Sequence, residues 1–368
     1  MTASSWEQRV SVRNRSVAEA GQWRSIRTLD GHGPTFLVDG RPIVSFASND
    51  YLGLAHHPEV VDAARAALER WGAGSGSARL IVGGRPVHRE LEDELASWKG
   101  TEGALLFPTG FAANLGVLTT FATDGVLVVS DELNHASIID GARLARGTVA
   151  VARHRDVDHV DALLAAHDGP AVVVTDTVFS MDGDEAPLDE LVAVCAGREA
   201  LLIVDEAHAV LGPAIPESDA TILRVGTLSK TLGALGGFVA GPRAFIDLMI
   251  NTARPFIFTT APTPADSAAA LAALRIVRSA EGDALLSRLR RHVERIVPGH
   301  PSPIIPIVLG DEQRAVDASR RLLDDHDLLV PAIRPPTVAP GTSRLRVALS
   351  AVHEEDDVVR LAKALTDL

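Results

Sequence analysis

The stretch Ile222-Leu-Arg-Val-Gly-Thr-Leu-Ser-Lys230, followed at once by Thr231-Leu-Gly-Ala-Leu-Gly-Gly-Phe238, decides how the rest of the chain is read. A short apolar run closes on Thr227, Ser229 and Lys230, and the backbone then breaks on Gly233, Gly236 and Gly237. Taken alone, this is a lysine snorkelling from a strand end, with its stem on apolar neighbours and its ammonium in water. It is also what a lysine needs to form an imine with a phosphorylated aldehyde. The surrounding chain chooses between the two.

Working outward, three earlier apolar runs end in acids: Val126-Leu-Val-Val-Ser-Asp131, Ala171-Val-Val-Val-Thr-Asp176 and Leu201-Leu-Ile-Val-Asp-Glu206. Helical segments separate them, which predicts an α/β fold with a mostly parallel, doubly wound sheet. Ligands of such sheets bind beyond the carboxyl ends of the strands. Each run here is followed by residues able to do chemistry: Asn134-His135, then Ser180, then His208, then Lys230. Four in succession carry an argument that none carries singly.

Towards the N-terminus, residues 5–27 are polar and arginine-rich and predict a peripheral helix. Asp39-Gly40 between two apolar runs predicts a hairpin. Pro58 opens a helix expected to bury Val60, Ala64, Leu68 and Trp71. Gly72-Ala-Gly-Ser-Gly-Ser77 resembles a dinucleotide fingerprint, but a helix precedes it where that fingerprint needs a strand. A loop beside a ligand, or a plain helix-to-helix linker, is expected instead. Helix 86–99 presents Val87, Leu91, Leu95 and Trp98 on one face. Ala104–Asn114 runs from a strand into a helix at Thr109-Gly110, whose free N–H groups suit a phosphate.

After about residue 265 two arginine-rich amphipathic helices fill 265–297. Strands at Ile304–Leu309, Leu328–Ile333 and Arg344–Leu349 follow, with a last helix from His353. This predicts a large domain over 46–265 and a smaller α+β domain over 266–368, joined by the N-terminal segment 1–45. The chain has 368 residues, enough for two lobes. Its net charge of −13 argues against nucleic acid or an anionic membrane as main partner. Cys195 stands alone, excluding an intrachain disulfide framework and a cysteine-based zinc site, and a cytoplasmic location is expected. No metal site is expected.

If Lys230 holds an aldehyde cofactor, pyridoxal phosphate fits, as an electron sink for carbanions next to an amino group. A carboxylate must then keep the ring nitrogen protonated, and Asp205 suits this. His208 is placed for the phenolic oxygen and His135 for the ring face. Gly110 and Phe111 at the helix start, with Thr227 and Ser229, suit the phosphate. The alternatives are ordinary ones: a strand-end cap at Asp205, satisfied half-buried histidines, and a turn-stabilising Ser180. A Walker-B reading of Asp205-Glu206 lacks its companion phosphate loop.

The chain resembles the α-oxoamine synthases, fold-type-I pyridoxal-phosphate enzymes that condense an amino acid with an acyl thioester and release CO2. The resemblance covers nearly the whole length. It is carried by Ser48-Asn-Asp-Tyr-Leu-Gly-Leu54, Phe107-Pro-Thr-Gly-Phe-Ala-Ala-Asn114, Asn134-His-Ala-Ser137, Val178-Phe-Ser-Met-Asp-Gly-Asp184, Val204-Asp-Glu-Ala-His208 and Gly226-Thr-Leu-Ser-Lys230. It implies that Lys230 carries the cofactor and acts as base, with Asp205 on the pyridinium, His208 on the phenolic oxygen and His135 on the ring. Gly110, Phe111, Ser180 and Thr227 are implied in cofactor binding, and Thr259 and Thr260 in reaching the phosphate of a partner subunit in a homodimer. Asn49, His135, Thr337 and Arg346 are implied substrate contacts, Arg346 foremost for the carboxylate, with Arg334 a second candidate.

Ala332-Ile-Arg-Pro-Pro-Thr-Val338 and Gly341-Thr-Ser-Arg-Leu-Arg346 are most similar to the branch that joins L-alanine to a pimeloyl thioester. That branch usually carries an arginine where Trp23 stands here, with Arg24 and Arg27 close by.

Overall fold

The computed structural model describes residues 5–38 and 40–368. Three strands, β1 (Asp30–His32), β2 (Thr35–Val38) and β3 (Arg41–Ser45), form an antiparallel N-terminal ribbon. Val38 pairs with Arg41 across the expected hairpin turn, of which Asp39 lies outside the described residues. The strands β4 (Gly103–Phe107), β5 (Leu127–Asp131), β6 (Thr148–Ala152), β7 (Ala171–Asp176), β8 (Leu201–Asp205), β9 (Ile222–Thr227) and β10 (Gly237–Gly241) build the central sheet. The C-terminal strands are β11 (Ile304–Gly310), β12 (Leu328–Leu329), β13 (Ala332–Ile333) and β14 (Ser343–Ala348).

The central sheet has the order β4-β10-β9-β8-β7-β5-β6, and β10 alone runs against its neighbours. Successive residues serve opposite faces: Val128, Val174 and Ile203 pack with the helix at Gly110–Phe121, and Val129, Val173 and Leu202 with the helix at Leu188–Gly197. Burial on both faces is why these strands read as unbroken apolar runs. The carboxyl ends of β5, β7, β8 and β9 share one edge, which brings their polar followers together.

Sequence periodicity missed β10, because its Gly-Phe-Val-Ala-Gly composition continues the glycine-rich break. The glycines are there to reverse the chain. Gly233 and Gly236 take positive φ, and Leu228 N–H donates to the Gly236 carbonyl. Helix Pro58–Trp71 also departs from expectation: Val60 and Ala67 are buried while Leu68 is 45% exposed. Val60 and Ala67 stand two turns apart, in one line against helix Pro264–Val277.

Two smaller sheets complete the fold. One is β11-β14-β13; the other is β1-β2-β3-β12, in which β12 runs parallel to β3. The run Leu328–Ile333, expected as one strand, is split between these sheets at Pro331, which has no N–H to continue a ladder. Helix Trp6–Glu19 is capped by Ser5 and buries no residue. The loop after Gly72 is pinned to the segment before helix Pro264–Val277: Ser75 Oγ donates to the Pro262 carbonyl at 2.6 Å, and Ala261 N–H to the Ser77 carbonyl at 3.0 Å.

Candidate active site

Lys230 lies in the turn between β9 and β10, with its Nζ 2.8 Å from His208 Nε2. Burial lowers its pKa below the usual lysine value, against the pull of Asp205 and Asp176, and Arg346 lowers it further. His208 follows β8 and is buried. Burial, then the charges of Lys230, Arg346 and His135, hold it well below the ordinary histidine range, so the ring is neutral. Its other nitrogen, Nδ1, is 2.6 Å from the hydroxyl of Tyr51.

Asp205 ends β8, buried, directly beside Asp176 at the end of β7. Its Oδ1 accepts from Ala207 N–H at 2.9 Å and its Oδ2 from Asn114 Nδ2 at 2.6 Å. Asn114 also donates to Ser137 Oγ at 2.9 Å, and that hydroxyl lies 2.7 Å from His135 Nδ1. His135 caps the helix at Ala136–Leu144, and its own N–H donates to Asp176 Oδ2 at 2.7 Å. Burial lowers the His135 pKa, Asp205 opposing and Lys230 assisting. Burial, then the charge of Asp205, pushes Asp176 well above the ordinary carboxylate range. Asn134 holds the strand ends in register, donating to the Val174 carbonyl and accepting from Asp176 N–H.

The helix at Gly110–Phe121 starts against the lysine turn. Thr109 caps it by accepting from Ala112 N–H at 3.0 Å. The Gly110 and Phe111 N–H groups have no hydrogen-bond partner among the described residues. A Cβ on Gly110 would sit 3.1 Å from Thr227 Cβ, and one on Gly237 only 2.5 Å from Gly110 N. Two glycines thus let a helix start and a strand pair close together. Thr227 Oγ1 is 2.8 Å from Ser229 Oγ and would lie 3.4 Å from a Cβ on Gly110, which sets the Thr227 hydroxyl beside the helix start.

Arg346, buried in β14, donates through Nε to the Ser180 carbonyl and through its terminal nitrogen to Asn49 Oδ1 at 3.2 Å. Tyr51 Oη is 3.1 Å from the same Asn49 oxygen. A continuous chain, Lys230–His208–Tyr51–Asn49–Arg346, therefore crosses the site. Other predicted residues stand apart from it. Arg334 donates to the Gly21 carbonyl at 2.7 Å, and Thr337 is exposed in the turn that follows β13. Thr259 is half-buried and Thr260 exposed, in the segment pinned to the 75–77 loop. No hydrogen bond among the described residues joins these four to Lys230 or its neighbours.

Sequence reasoning missed Tyr51, Asn114, Ser137 and Asp176. Tyr51 is the single tyrosine of the chain and stands in the polar turn 48–54, a usable signal. Asn114 is the single amide side chain on the mostly apolar helix Gly110–Phe121, one turn past its start. Asp176 resembled any acidic strand end. Among the described residues no group of His, Cys, Asp or Glu could hold a metal ion, and no helix is long and apolar enough to cross a membrane.

A family model described as aminotransferase class I and II matches residues 41–365. The 8-amino-7-oxononanoate synthase of Methylobacterium nodulans is 48% identical over 335 residues, 89% of this chain and 88% of that protein. The one from Anaeromyxobacter dehalogenans is 48% identical over 371 residues, 95% of this chain and 93% of that protein. The chain belongs to the class I and II aminotransferases, among the 8-amino-7-oxononanoate synthases. Solved structures superpose on most of its length. A serine palmitoyltransferase from Sphingomonas wittichii gives a TM-score of 0.89 at 29% identity, covering 100% of this chain and 98% of that one. An 8-amino-7-oxononanoate synthase from Francisella tularensis gives 0.75 at 25% identity, covering 88% and 97%. A serine palmitoyltransferase solved with PLP gives 0.89 at 28% identity, covering 97% and 96%. The architecture is the fold-type-I fold of these aminotransferase relatives.

Proposed function

We propose that this chain condenses L-alanine with a pimeloyl thioester, releasing CO2 and the free thiol, to give 8-amino-7-oxononanoate for biotin synthesis, with pyridoxal phosphate held on Lys230. The observation that carries the reading is the buried Lys230–His208 pair beside Asp205, in a chain nearly half identical to synthases of that name. The residues fit the cofactor. Asp205 is a buried carboxylate whose hydrogen bonds, among the described residues, come from neutral donors, so a cationic ring nitrogen would complete it. The helix start at Gly110 and Phe111, with Thr227 and Ser229, suits a phosphate.

Pyridoxal phosphate supplies an electron sink for charge developing on the carbon next to an amino nitrogen. The chain's own groups do the rest. Burial favours the uncharged amine of Lys230, which makes its Nζ the base for the alanine Cα proton. His135 would cover one face of the ring, and neutral His208 would offer a hydrogen bond to its phenolic oxygen. Arg346 takes the alanine carboxylate, its plane fixed by the Ser180 carbonyl and Asn49. Thr337 and Arg334, in and before the turn after β13, contact the incoming substrate. In a homodimer Thr260 reaches the partner's phosphate. Cys195 is free and buried, in keeping with a cytoplasmic enzyme.

The purified chain with pyridoxal phosphate, L-alanine and pimeloyl-CoA or a pimeloyl carrier protein is expected to release CO2 and thiol in equal amounts. Lys230→Ala should stop both. Strong preference for serine or glycine over alanine would instead assign the chain to another branch of the family.

A further inference from the structure

We propose that Tyr51 is a positioning residue: its hydroxyl, shared between His208 Nδ1 and Asn49 Oδ1, decides which ring nitrogen of His208 carries the proton. It thereby links the charge of Lys230 to the arginine that receives substrate. The inference rests on the reading of Lys230 and Arg346 as the working lysine and the carboxylate-binding arginine.

Tyr51 is fully buried, its hydroxyl lies 2.6 Å from His208 Nδ1 and 3.1 Å from Asn49 Oδ1, and the Arg346 guanidinium, which can only donate, faces it as well. A guanidinium carries only donors, so the Asn49 atom facing Arg346 is the amide oxygen, which accepts and cannot give. The single Tyr51 proton must therefore go either to Asn49 or to His208. Two complete arrangements exist. In the first, Lys230 is an ammonium and donates to His208 Nε2. The ring proton then sits on Nδ1 and is donated to Tyr51 Oη, and the Tyr51 O–H is donated to Asn49. In the second, His208 carries its proton on Nε2 and directs it at an acceptor, such as the uncharged amine. Nδ1 is then a lone pair, Tyr51 turns its O–H to it, and Asn49 retains only Arg346.

The ring itself does not change charge. Lys230, Arg346 and His135 all oppose a second proton on it, while Asp205 and Asp176 act on the lysine. What moves is the direction of the chain of hydrogen bonds. Without Tyr51 the first arrangement leaves a buried Nδ1–H with no acceptor, whereas the second leaves only a lone pair. The ammonium form of Lys230 is the one that loses.

The test titrates Lys230 in the full-length chain freed of cofactor. Acetic anhydride is applied across a pH series, and modification of Lys230 is followed by mass spectrometry. Tyr51→Phe should move the midpoint down by about one pH unit, giving about tenfold more modification below it. If Tyr51 merely fills space, phenylalanine fills it equally and the midpoint stays. If the substitution loosens the site and admits water, the midpoint rises towards the usual lysine value of 10.5. Either result overturns the proposal. Asn49→Ala removes the competing acceptor, so it should shift the midpoint in the same direction as Tyr51→Phe. It decides the matter if the phenylalanine variant does not fold. Uptake of pyridoxal phosphate by wild-type Lys230 is read separately, by borohydride reduction and mass spectrometry. Failure there ends the functional reading and leaves the Tyr51 titration standing.

Discussion

Asp176 and Asp205 are paired across adjacent parallel strands, yet their surroundings assign them different work. Asp205 receives Asn114 and the Ala207 N–H, and its charge draws on both Lys230 and His135. Asp176 receives the backbone N–H of His135, and burial beside Asp205 favours its protonated form, so that its pull on Lys230 is the smaller of the two. Two carboxylates this close do not both ionise readily. An amide can replace a neutral carboxyl that only accepts one N–H, but could not replace the charge that the proposed function sets against a pyridinium. Asp176→Asn should therefore keep turnover within about tenfold of wild type, while Asp205→Asn should lose about a hundredfold or more. Steady-state rates, with cofactor absorbance as a check on loading, measure the contrast. Equal losses in the two variants would mean that the charge is shared rather than divided. Asp205, His208 and Lys230 stood out in the sequence because each ends or closely follows an apolar run. Asn114, Ser137 and Tyr51 did not, since their roles depend on side chains far apart in sequence that only the fold brings within hydrogen-bond distance.

At the scale of elements, the proposed phosphate cradle depends on how closely the start of helix Gly110–Phe121 rests on β10. Gly237 pairs with Phe107 and Thr227, and Gly110 N and the Thr109 carbonyl lie only 2.5 Å from where its Cβ would be. The φ of Gly237 is not the constraint, for it is absent from the positive-φ positions. The constraint is space. Gly237→Ala must push the helix start outward or bend β10, and neither backbone can yield cheaply. A loss of about 1–3 kcal/mol in stability is expected. Pyridoxal phosphate affinity should fall further than stability accounts for, because the displaced N–H groups no longer converge. Denaturant unfolding and a cofactor titration on the same variant separate the two effects. The strand-turn-helix order here was readable from the sequence, and so was the helix start. The reversed strand β10 was not, because a glycine needed for close approach and one needed for a turn look alike in a sequence.

Across the whole molecule, the loop Phe179–Asp184 fastens the central sheet to the C-terminal one. Ser180 meets Arg346, Asp182 pairs with Arg344, and the Gly183 carbonyl accepts from Ser302 Oγ at 2.7 Å. On its other side the loop is held by His154, which bridges Asp131 at 3.0 Å and Asp184 at 2.9 Å, with Arg155 also on Asp184. Burial opposes a charge on His154, but the hydrogen bonds and charges of the two carboxylates outweigh it and raise its pKa from 6.5 to about 9. A raised pKa means that the bridge contributes fully below 6.5 and is lost as pH rises through about 9. The shift corresponds to at most about 3 kcal/mol, reduced by solvent screening at the partly exposed ring. His154→Gln removes the charge at every pH while keeping one donor. Its melting temperature should fall below that of wild type by the widest margin near pH 6, and the gap should close above pH 9, where the wild-type bridge is neutral too. The wild-type-minus-variant difference cancels other groups that titrate in that range. A gap that stays constant from pH 6 to 10 would show that His154 holds the loop by shape alone, and that Arg155, Arg344 and Arg346 carry its electrostatic attachment.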